Sequence, residues 1–302
     1  MRYGAGLNIG KPIDEIVEEA KRLAADGYSC LSSSHIFGYD AITLLGVVGV
    51  AVPDVELMTA VVPIYTRHPI AMAQQALTVQ AATGGRFALG IGLSHQVLVE
   101  AVYGLSFDQP LRAMREYLAI LMPLLHHERV RVKGETVSAS AGPLEVEVSA
   151  PPQVIVAALG TAMLELAGEV ADGTATWMTG PKTLAEHIVP TIRTAAERAG
   201  RPAPRVLAAL PVCVTDEVVA ARQRADEVFA IYGTLPSYRA MLDREGAAGP
   251  GDAAIVGDEA AVRAVLEELE AAGVTDFSAA PIGSREEVQR TTALFGELAT
   301  TG

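Results

Sequence analysis

The composition of this 302-residue chain excludes several classes of protein. Half of the residues are hydrophobic and 20% are charged, so the chain can bury a sizeable core and is not expected to be disordered. The formal net charge of −13 argues against binding to nucleic acid, whose phosphates require a surplus of Lys and Arg. The chain has no apolar run long enough to cross a bilayer, and its first residues lack the pattern of a signal peptide. We therefore expect a cytoplasmic protein.

Eight apolar segments, each followed by helical sequence, organise the chain. The clearest unit runs from Glu56 to His95, where an apolar strand, a helix with Pro69 in its first turn and a second apolar strand form a βαβ unit. In chain order, strands are predicted at 3–8, 28–33, 55–62, 87–91, 153–158, 173–178, 206–214 and 276–280. Helical spacing or start signals follow each of them, and Ser284 with Glu287 forms a capping box for the last helix.

Two segments interrupt this repeat. Alternating apolar residues predict a β-hairpin over 129–148, with Leu144, Val146 and Val148 on its second strand. Several Pro and Gly residues predict an irregular, mobile excursion over 233–254. Eight right-handed crossovers with no dividing linker favour one (β/α)8 TIM barrel that spans residues 1–302 as a single domain. A doubly wound open sheet is the alternative architecture.

In a barrel of this type, the active site lies at the C-terminal ends of the strands. That rule places His35, His95 and Trp177 around one mouth, although they are far apart in sequence. Either histidine could exchange a proton near neutral pH, or it could simply be hydrogen-bonded within its own loop. Trp177 could stack on a ring or only pack in the wall. His68 is predicted to cap a helix, and no metal site is predicted because His126 and its neighbours lack the spacing of a helical zinc site.

An anion site is predicted where the fifth strand leads directly into a helix. Gly160, Thr161 and Ala162 begin this helix, and its first N–H groups have no intrahelical acceptor. An ordinary tight turn between a strand and a helix would have the same sequence. The chain has no nucleophile elbow and no P-loop.

Three stretches of the chain carry a resemblance to a known family: TAVVPIYTRHPIAMAQQALTVQAATGGRFALGIGLSH, PPQVIVAALGTAMLELAGEVADGTATWMTGP and IVGDEAAVRAVLEELEAAGVTDF. They resemble the bacterial luciferase-like oxidoreductases, in particular the branch that uses coenzyme F420, an 8-hydroxy-5-deazaflavin. The similarity covers nearly the whole chain in the expected order. It implies a (β/α)8 barrel, a homodimer, a deazaflavin in the C-terminal mouth and a small-molecule substrate.

The resemblance also implies roles for individual residues. It places a bulge with a non-prolyl cis peptide at Ala60-Val61, which would support the middle ring of the cofactor. The residues implied to contact the cofactor are Ala60, Val61, Val62, Gly92, His95, Trp177 and, for its phosphate, Gly160, Thr161 and Ala162. His35 is assigned to proton transfer or ring anchoring, and His95 and Tyr39 are further catalytic candidates. Lys182 and Arg131 are candidates for contact with the acidic tail of the cofactor.

The expected activity is hydride transfer between deazaflavin C5 and a small organic substrate, with reduction of a C=C or C=N bond as the favoured direction. Some family members have an acidic residue at the position of Ser34, a tryptophan at that of Tyr39 and a glutamate at that of His95. The resemblance therefore does not extend to sugar-phosphate or simple alcohol dehydrogenase activity. The alternatives are an FMN-dependent luciferase-like monooxygenase and a catalytically silent flavin-binding barrel.

Overall fold

Eight parallel strands close into a barrel in the computed structural model, which describes residues 1–301. Each strand pairs with the next in the chain, and the eighth pairs with the first. This closure confirms the predicted (β/α)8 barrel and excludes the open sheet. The strands, β1 to β8, are Arg2–Gly6, Cys30–Ser33, Glu56–Thr59, Phe87–Gly92, Gln153–Ala157, Gly173–Trp177, Arg205–Val214 and Asp276–Pro281.

The helices pack around the barrel and begin at recognisable signals. The side chains of Asp40 and Asp258 cap two helices, and the predicted cap by His68 is confirmed because its ring nitrogen accepts a hydrogen bond from Ile70 N. Of the described helices, none is long and apolar enough to cross a membrane. The main helices, α1 to α10, are Ile13–Ala25, Ala41–Ala51, Pro69–Ala82, Pro110–Leu125, Thr161–Val170, Val189–Arg198, Val218–Val228, Pro236–Glu245, Glu259–Ala272 and Arg285–Thr301.

Shorter elements complete the chain. Two short strands extend the barrel sheet, and two others form a separate hairpin; they are Val62–Pro63, Ile255–Gly257, Val130–Lys133 and Ser138–Ala141. Single helical turns occupy Leu98–Val102, Pro181–Thr183, Leu184–Ile188, Ala230–Gly233 and Pro250–Ala253. The helical stretch after β6 is built of three segments, and a π-helical turn precedes the segment that contains Pro190.

Charged side chains fill the N-terminal end of the barrel. Alternate residues of a barrel strand face inward, and ion pairs and hydrogen bonds join the side chains of Arg2, Glu56, Gln153, Arg205 and Asp276 at this end. The Arg205 guanidinium lies 2.7 Å from a Glu56 oxygen and 2.9 Å from an Asp276 oxygen. One level higher, Cys30, Met58, Ala88, Ile155 and Leu207 pack together as an apolar layer. The interior is thus filled up to this layer, and the C-terminal end is left as the mouth.

The predicted hairpin is present, but its second strand was wrongly placed. Val130–Lys133 pairs with Ser138–Ala141, and residues 144–148 form no strand. The turn lies earlier because the Glu116 carboxylate accepts hydrogen bonds from the N–H groups of Glu135 and Thr136 at 3.0 and 2.8 Å. Residues 144, 146 and 148 are partly buried against the core, so their alternation reflects the packing of an extended loop.

The prediction of an irregular excursion over 233–254 was also wrong, because this segment is largely helical. Pro236 stands in the first turn of α8, and Gly246 ends that helix in the left-handed conformation with φ 81°. The Glu245 carboxylate then accepts hydrogen bonds from the N–H groups of Lys182 and Thr183 at 3.1 and 2.8 Å. The Pro and Gly residues therefore mark the boundaries of a helix that is anchored to the barrel.

Candidate active site

Small residues form the floor of the mouth. The strand register continues the inward-facing positions to the C-terminal ends of the strands, where Trp177 is paired with Ala209. Gly6, Ser32, Ala60, Ala157 and Ala280 are further inward positions at this end, and all five are at least partly exposed, whereas Gly92 of β4 is buried. The layer beneath is buried. A flat ring can therefore lie on this floor without displacing a large side chain.

One side of the mouth, next to the floor, is formed where β3 is interrupted. The strand ends at Thr59, and a cis peptide bond joins Ala60 to Val61, as predicted. The chain then resumes pairing with β4 through the short strand Val62–Pro63. At this interruption the Thr59 hydroxyl replaces the backbone hydrogen bonds that would otherwise pair β3 with β4. It donates to Gly90 O at 2.7 Å and accepts from Gly90 N at 2.8 Å.

Two glycines of β4 allow this interruption. A Cβ atom on Gly90 would lie 1.9 Å from Thr59 O, and one on Gly92 would lie 2.8 Å from Val61 Cγ2. Neither position can hold a side chain without moving the wall. Ala60 and Val61 are partly exposed at the mouth, whereas the side chain of Val62 is fully buried in the outer core.

His35 lies after β2 and is held by the start of α2. Its Nδ1 accepts a hydrogen bond from Ala41 N at 3.3 Å and lies 3.7 Å from Asp40 Oδ2. Asp40 Oδ1 accepts from both the N–H and the hydroxyl of Thr43 at 2.8 Å, and Asp40 Oδ2 is paired with the Arg67 guanidinium. Burial, together with the positive charge of Arg67, lowers the pKa of His35. The residue is therefore neutral at physiological pH.

Aromatic side chains extend across the mouth from the end of β6 to the loop after β4. The centroids of Trp177 and Tyr232 are 6.0 Å apart, those of Tyr232 and Tyr238 are 4.9 Å apart, and those of Tyr238 and His95 are 5.7 Å apart. Phe229 packs edge-on against Trp177 at 5.6 Å. We call Trp177, Tyr232, Tyr238 and His95 the aromatic row. It connects two predicted site residues through two tyrosines that the sequence analysis had not singled out.

Burial makes the aromatic row electrically neutral. It lowers the pKa of His95 and raises the pKa of both Tyr232 and Tyr238. The His95 imidazole and the two phenols are consequently uncharged near pH 7. The row thus presents aromatic faces and neutral polar groups to anything bound beside it.

The predicted anion site lies at the exposed start of α5. Gly160 precedes this helix without a side-chain cap, and a Cβ atom built on it would meet no other atom within 4 Å. Thr161 and Ala162 are also exposed. The preceding turn is fixed because His187 Nε2 donates a hydrogen bond to Leu159 O at 2.8 Å. Open space and exposed first-turn residues at a fixed helix start are the properties that a bound phosphate requires.

The remaining candidates are less closely associated with the floor. Tyr39 is 37% exposed in the loop before α2. Lys182 is exposed and its N–H donates to Glu245 at the end of α8, and Arg131 is exposed on the hairpin. Sequence reasoning missed Thr59, Asp40, Arg67 and the two tyrosines of the row. Only Asp40, three residues before Thr43 at a helix start, carried a recognisable local signal.

Comparison with known proteins agrees with this architecture. The luciferase-like monooxygenase family matches residues 1–299. A 5,10-methylenetetrahydromethanopterin reductase from Methanolobus tindarius is 28% identical over 248 residues, which are 82% of this chain and 75% of that protein. A Mycobacterium tuberculosis protein provisionally named as a coenzyme F420-dependent oxidoreductase is 28% identical over 315 residues, covering 89% and 90% of the two chains.

Among solved structures, the coenzyme F420-dependent tetrahydromethanopterin reductase from Methanopyrus kandleri is similar with a TM-score of 0.81. The identity is 23%, and the superposition covers 99% of this chain and 97% of the other. This likeness shows the shared fold. The closed barrel with its open C-terminal mouth defines the class of the protein as a (β/α)8 barrel. The chain belongs to the luciferase-like monooxygenase family.

Proposed function

We propose that the protein is a coenzyme F420-dependent oxidoreductase that reduces a C=C or C=N bond of a small organic substrate. Bound F420 would supply a hydride donor and acceptor at deazaflavin C5. The provisional name of one relative supports this cofactor, since that protein is called a coenzyme F420-dependent oxidoreductase, and the name of another, a 5,10-methylenetetrahydromethanopterin reductase, supports a reductase. The family name supports the rival, an FMN-dependent monooxygenase.

The observation that carries the proposal is the floor of small residues beside the interruption of β3. A planar tricyclic ring requires a flat area that large side chains leave free, and Gly6, Ser32, Ala157 and Ala280 provide one. Ala60 and Val61 form its raised edge. The start of α5 would hold the phosphate through the N–H groups of its first turn. The residues present therefore fit the ring and the phosphate of the proposed cofactor.

The side chains of the mouth would act mainly by orienting and enclosing the reactants. His35, whose Nδ1 is occupied by Ala41 N, would hydrogen-bond the ring system through Nε2, and the aromatic row would cover the reacting face and exclude water. Holding two reactants in a fixed orientation removes much of the entropic barrier to their reaction. His95 is the remaining neutral imidazole at the mouth that could move a proton.

The neutral aromatic row also supports a substrate class. An apolar, conjugated molecule can pack against Tyr232 and Tyr238, because contact between aromatic rings is more favourable than the buried apolar area alone would give. A charged substrate group would find no ionised partner in the row, since burial keeps its members neutral. We therefore propose a flat, uncharged substrate with a conjugated C=C or C=N bond.

A matched pair of substitutions tests the phosphate end of this proposal. Ala162 and Ala260 are both exposed and both stand second in their helices, α5 and α9. Ala162→Asp should weaken F420 binding at least about tenfold, because a carboxylate at the proposed phosphate site repels the ligand. Ala260→Asp introduces the same charge at another exposed helix start, to which no part of the cofactor is assigned, and should leave the affinity unchanged. Equal F420 affinity in the two variants would contradict the proposed phosphate site.

A turnover assay tests the reaction. Reduced F420 should be oxidised when flat conjugated enones or cyclic imines are added, and saturated ketones should react more slowly. Absorbance of the oxidised deazaflavin reports the rate. Binding of F420 without turnover of either acceptor class would support the catalytically silent barrel instead.

A further inference from the structure

The geometry around His35 bears on its chemical role. We propose that Asp40 and Arg67 are positioning residues that hold His35 as a neutral imidazole with its proton on Nε2. His35 then serves as a fixed hydrogen-bond donor to the bound ligand and does not transfer a proton. The choice of ligand rests on the proposed function, whereas the tautomer and its cause concern the protein alone.

The tautomer follows from the partner of Nδ1. Ala41 N is a backbone donor that cannot act as an acceptor, and it points at His35 Nδ1 from 3.3 Å. Nδ1 must therefore present its lone pair, which leaves the single proton of the neutral ring on Nε2. Protonation of the ring would place an N–H group against the N–H of Ala41 and would lose this hydrogen bond.

A carboxylate beside a histidine ordinarily has the opposite effect. Asp40 Oδ2 lies 3.7 Å from His35 Nδ1, and an unpaired carboxylate at that distance would favour a proton on Nδ1 and raise the pKa of the ring. Here both oxygens of Asp40 are occupied, Oδ1 by Thr43 and Oδ2 by Arg67. The Arg67 side chain is 16% exposed, so solvent screens its charge only in part. Arg67 thus offsets the effect that the negative charge of Asp40 would have on the pKa and the tautomer of His35.

The consequence concerns the side of His35 that carries Nε2. A general base needs a lone pair on the nitrogen that faces the reactant, but Nε2 carries the proton. The imidazolium is the form of histidine that gives up a proton readily near neutral pH, but burial and Arg67 lower the pKa of His35 and make this form scarce, and a neutral ring is a far weaker acid. A neutral N–H donor can still anchor an oxygen or nitrogen acceptor of the cofactor ring or substrate. The proton of the reaction must then come from another group or from water.

Nuclear magnetic resonance on the cofactor-free protein tests the tautomer directly. Long-range 1H–15N correlations distinguish the two neutral tautomers, and the His35→Gln spectrum identifies the signals of His35 among the six histidines. We expect the Nε2–H tautomer from about pH 7 to 8, with a pKa below the ordinary value of 6.5. An Nδ1–H tautomer or a pKa above 6.5 would overturn the proposal.

Substitutions of the two positioning residues should move the pKa of His35 in opposite directions. Arg67→Met leaves Asp40 uncompensated and should raise it by about one unit or more. Asp40→Asn removes the carboxylate, keeps an oxygen to cap α2, and should lower the pKa further. The control Arg263→Met breaks an ion pair with Glu297 on exposed helices and should leave His35 unchanged. If both Asp40→Asn and Arg67→Met shifted the pKa towards 6.5, a loosened loop would explain them and the proposal would fail.

A functional comparison separates hydrogen-bond donation from proton transfer. The side-chain amide of His35→Gln can still donate, so this variant should recover about tenfold of the F420 affinity lost in His35→Ala. If both variants bound F420 as tightly as the unmodified protein but lost about 100-fold or more in kcat, His35 would be an acid–base catalyst. Absence of F420 binding by the unmodified protein would contradict the proposed function and leave the tautomer measurement intact.

Discussion

Replacement of Thr59 by valine should destabilise the protein by about 2 to 6 kcal/mol. Thr59 is fully buried, and its hydroxyl makes two hydrogen bonds, at 2.7 and 2.8 Å, to the backbone of Gly90. Valine has nearly the same shape, so little packing changes. The N–H and C=O of Gly90 both lose their Thr59 partner, and each buried polar group without a partner costs roughly 1 to 3 kcal/mol.

The matched control is the same substitution at Thr83, which is also buried. Its hydroxyl donates to Val79 O at 2.7 Å, but that oxygen already accepts a hydrogen bond from Thr83 N at 2.9 Å. Thr83→Val leaves Val79 O satisfied, so the expected cost is about 1 kcal/mol or less.

Equilibrium urea unfolding measures both values. The single tryptophan, Trp177, lies at the mouth and provides a fluorescence signal. Thr59→Val should lower the midpoint well below that of Thr83→Val, with an unchanged dependence of the unfolding free energy on urea concentration. Equal midpoints for the two variants would refute the view that the Thr59 hydroxyl replaces the missing strand pairing.

Three further predictions concern acid stability, the aromatic row and α8. Hydrogen bonds, above all from the Thr136 hydroxyl, lower the pKa of Glu116 to about 2 from 4.5. The resulting stabilisation is present above pH 4.5 and is lost as the pH falls through about 2. Glu116→Gln should therefore make Tm depend less steeply on pH between about 4.5 and 2. An unchanged dependence of Tm on pH in this range would contradict the role of Glu116. Tyr238→Ala should lower kcat/KM for conjugated acceptors about tenfold, whereas Tyr238→Phe keeps the aromatic face and should lose less; equal losses would assign the effect to the hydroxyl. Glu245→Gln removes the charge of the carboxylate that accepts hydrogen bonds from the N–H groups of Lys182 and Thr183, so limited proteolysis should cut residues 229–253 faster. An unchanged rate of cleavage would show that this anchor is dispensable.

The repeated pattern of strands and helices was sufficient to predict the barrel, because the spacing of the apolar residues within each strand and helix can be read from a short stretch of sequence. The helix starts at His68 and Gly160 were predictable for the same reason, since the signal lies within a few residues of the element. The family resemblance located the cis peptide at Ala60-Val61. The residues that make this interruption possible, Thr59 and Gly90, are 31 positions apart, and no local pattern joins them.

Longer-range relations account for what the sequence did not reveal. Asp40 and Arg67 are separated by 27 positions, and their pairing depends on how β2 and β3 end beside each other. The aromatic row joins residues between His95 and Tyr238, which only the closed barrel brings together. Pro236 is one of the Pro and Gly residues that predict an irregular segment over 233–254, although proline is also favourable in the first turn of a helix, where Pro236 stands. Its meaning depends on the residues that follow it.

The most direct test of the central claim is a parallel titration of the purified protein with F420 and with FMN, followed through the fluorescence of Trp177. Because the indole lies beside the proposed ring site, binding of either cofactor should change its emission. The proposed function predicts saturable binding of F420 and an affinity for FMN at least about 100-fold lower, a difference of roughly 2.7 kcal/mol. Tight, saturable binding of FMN with no response to F420 would contradict it.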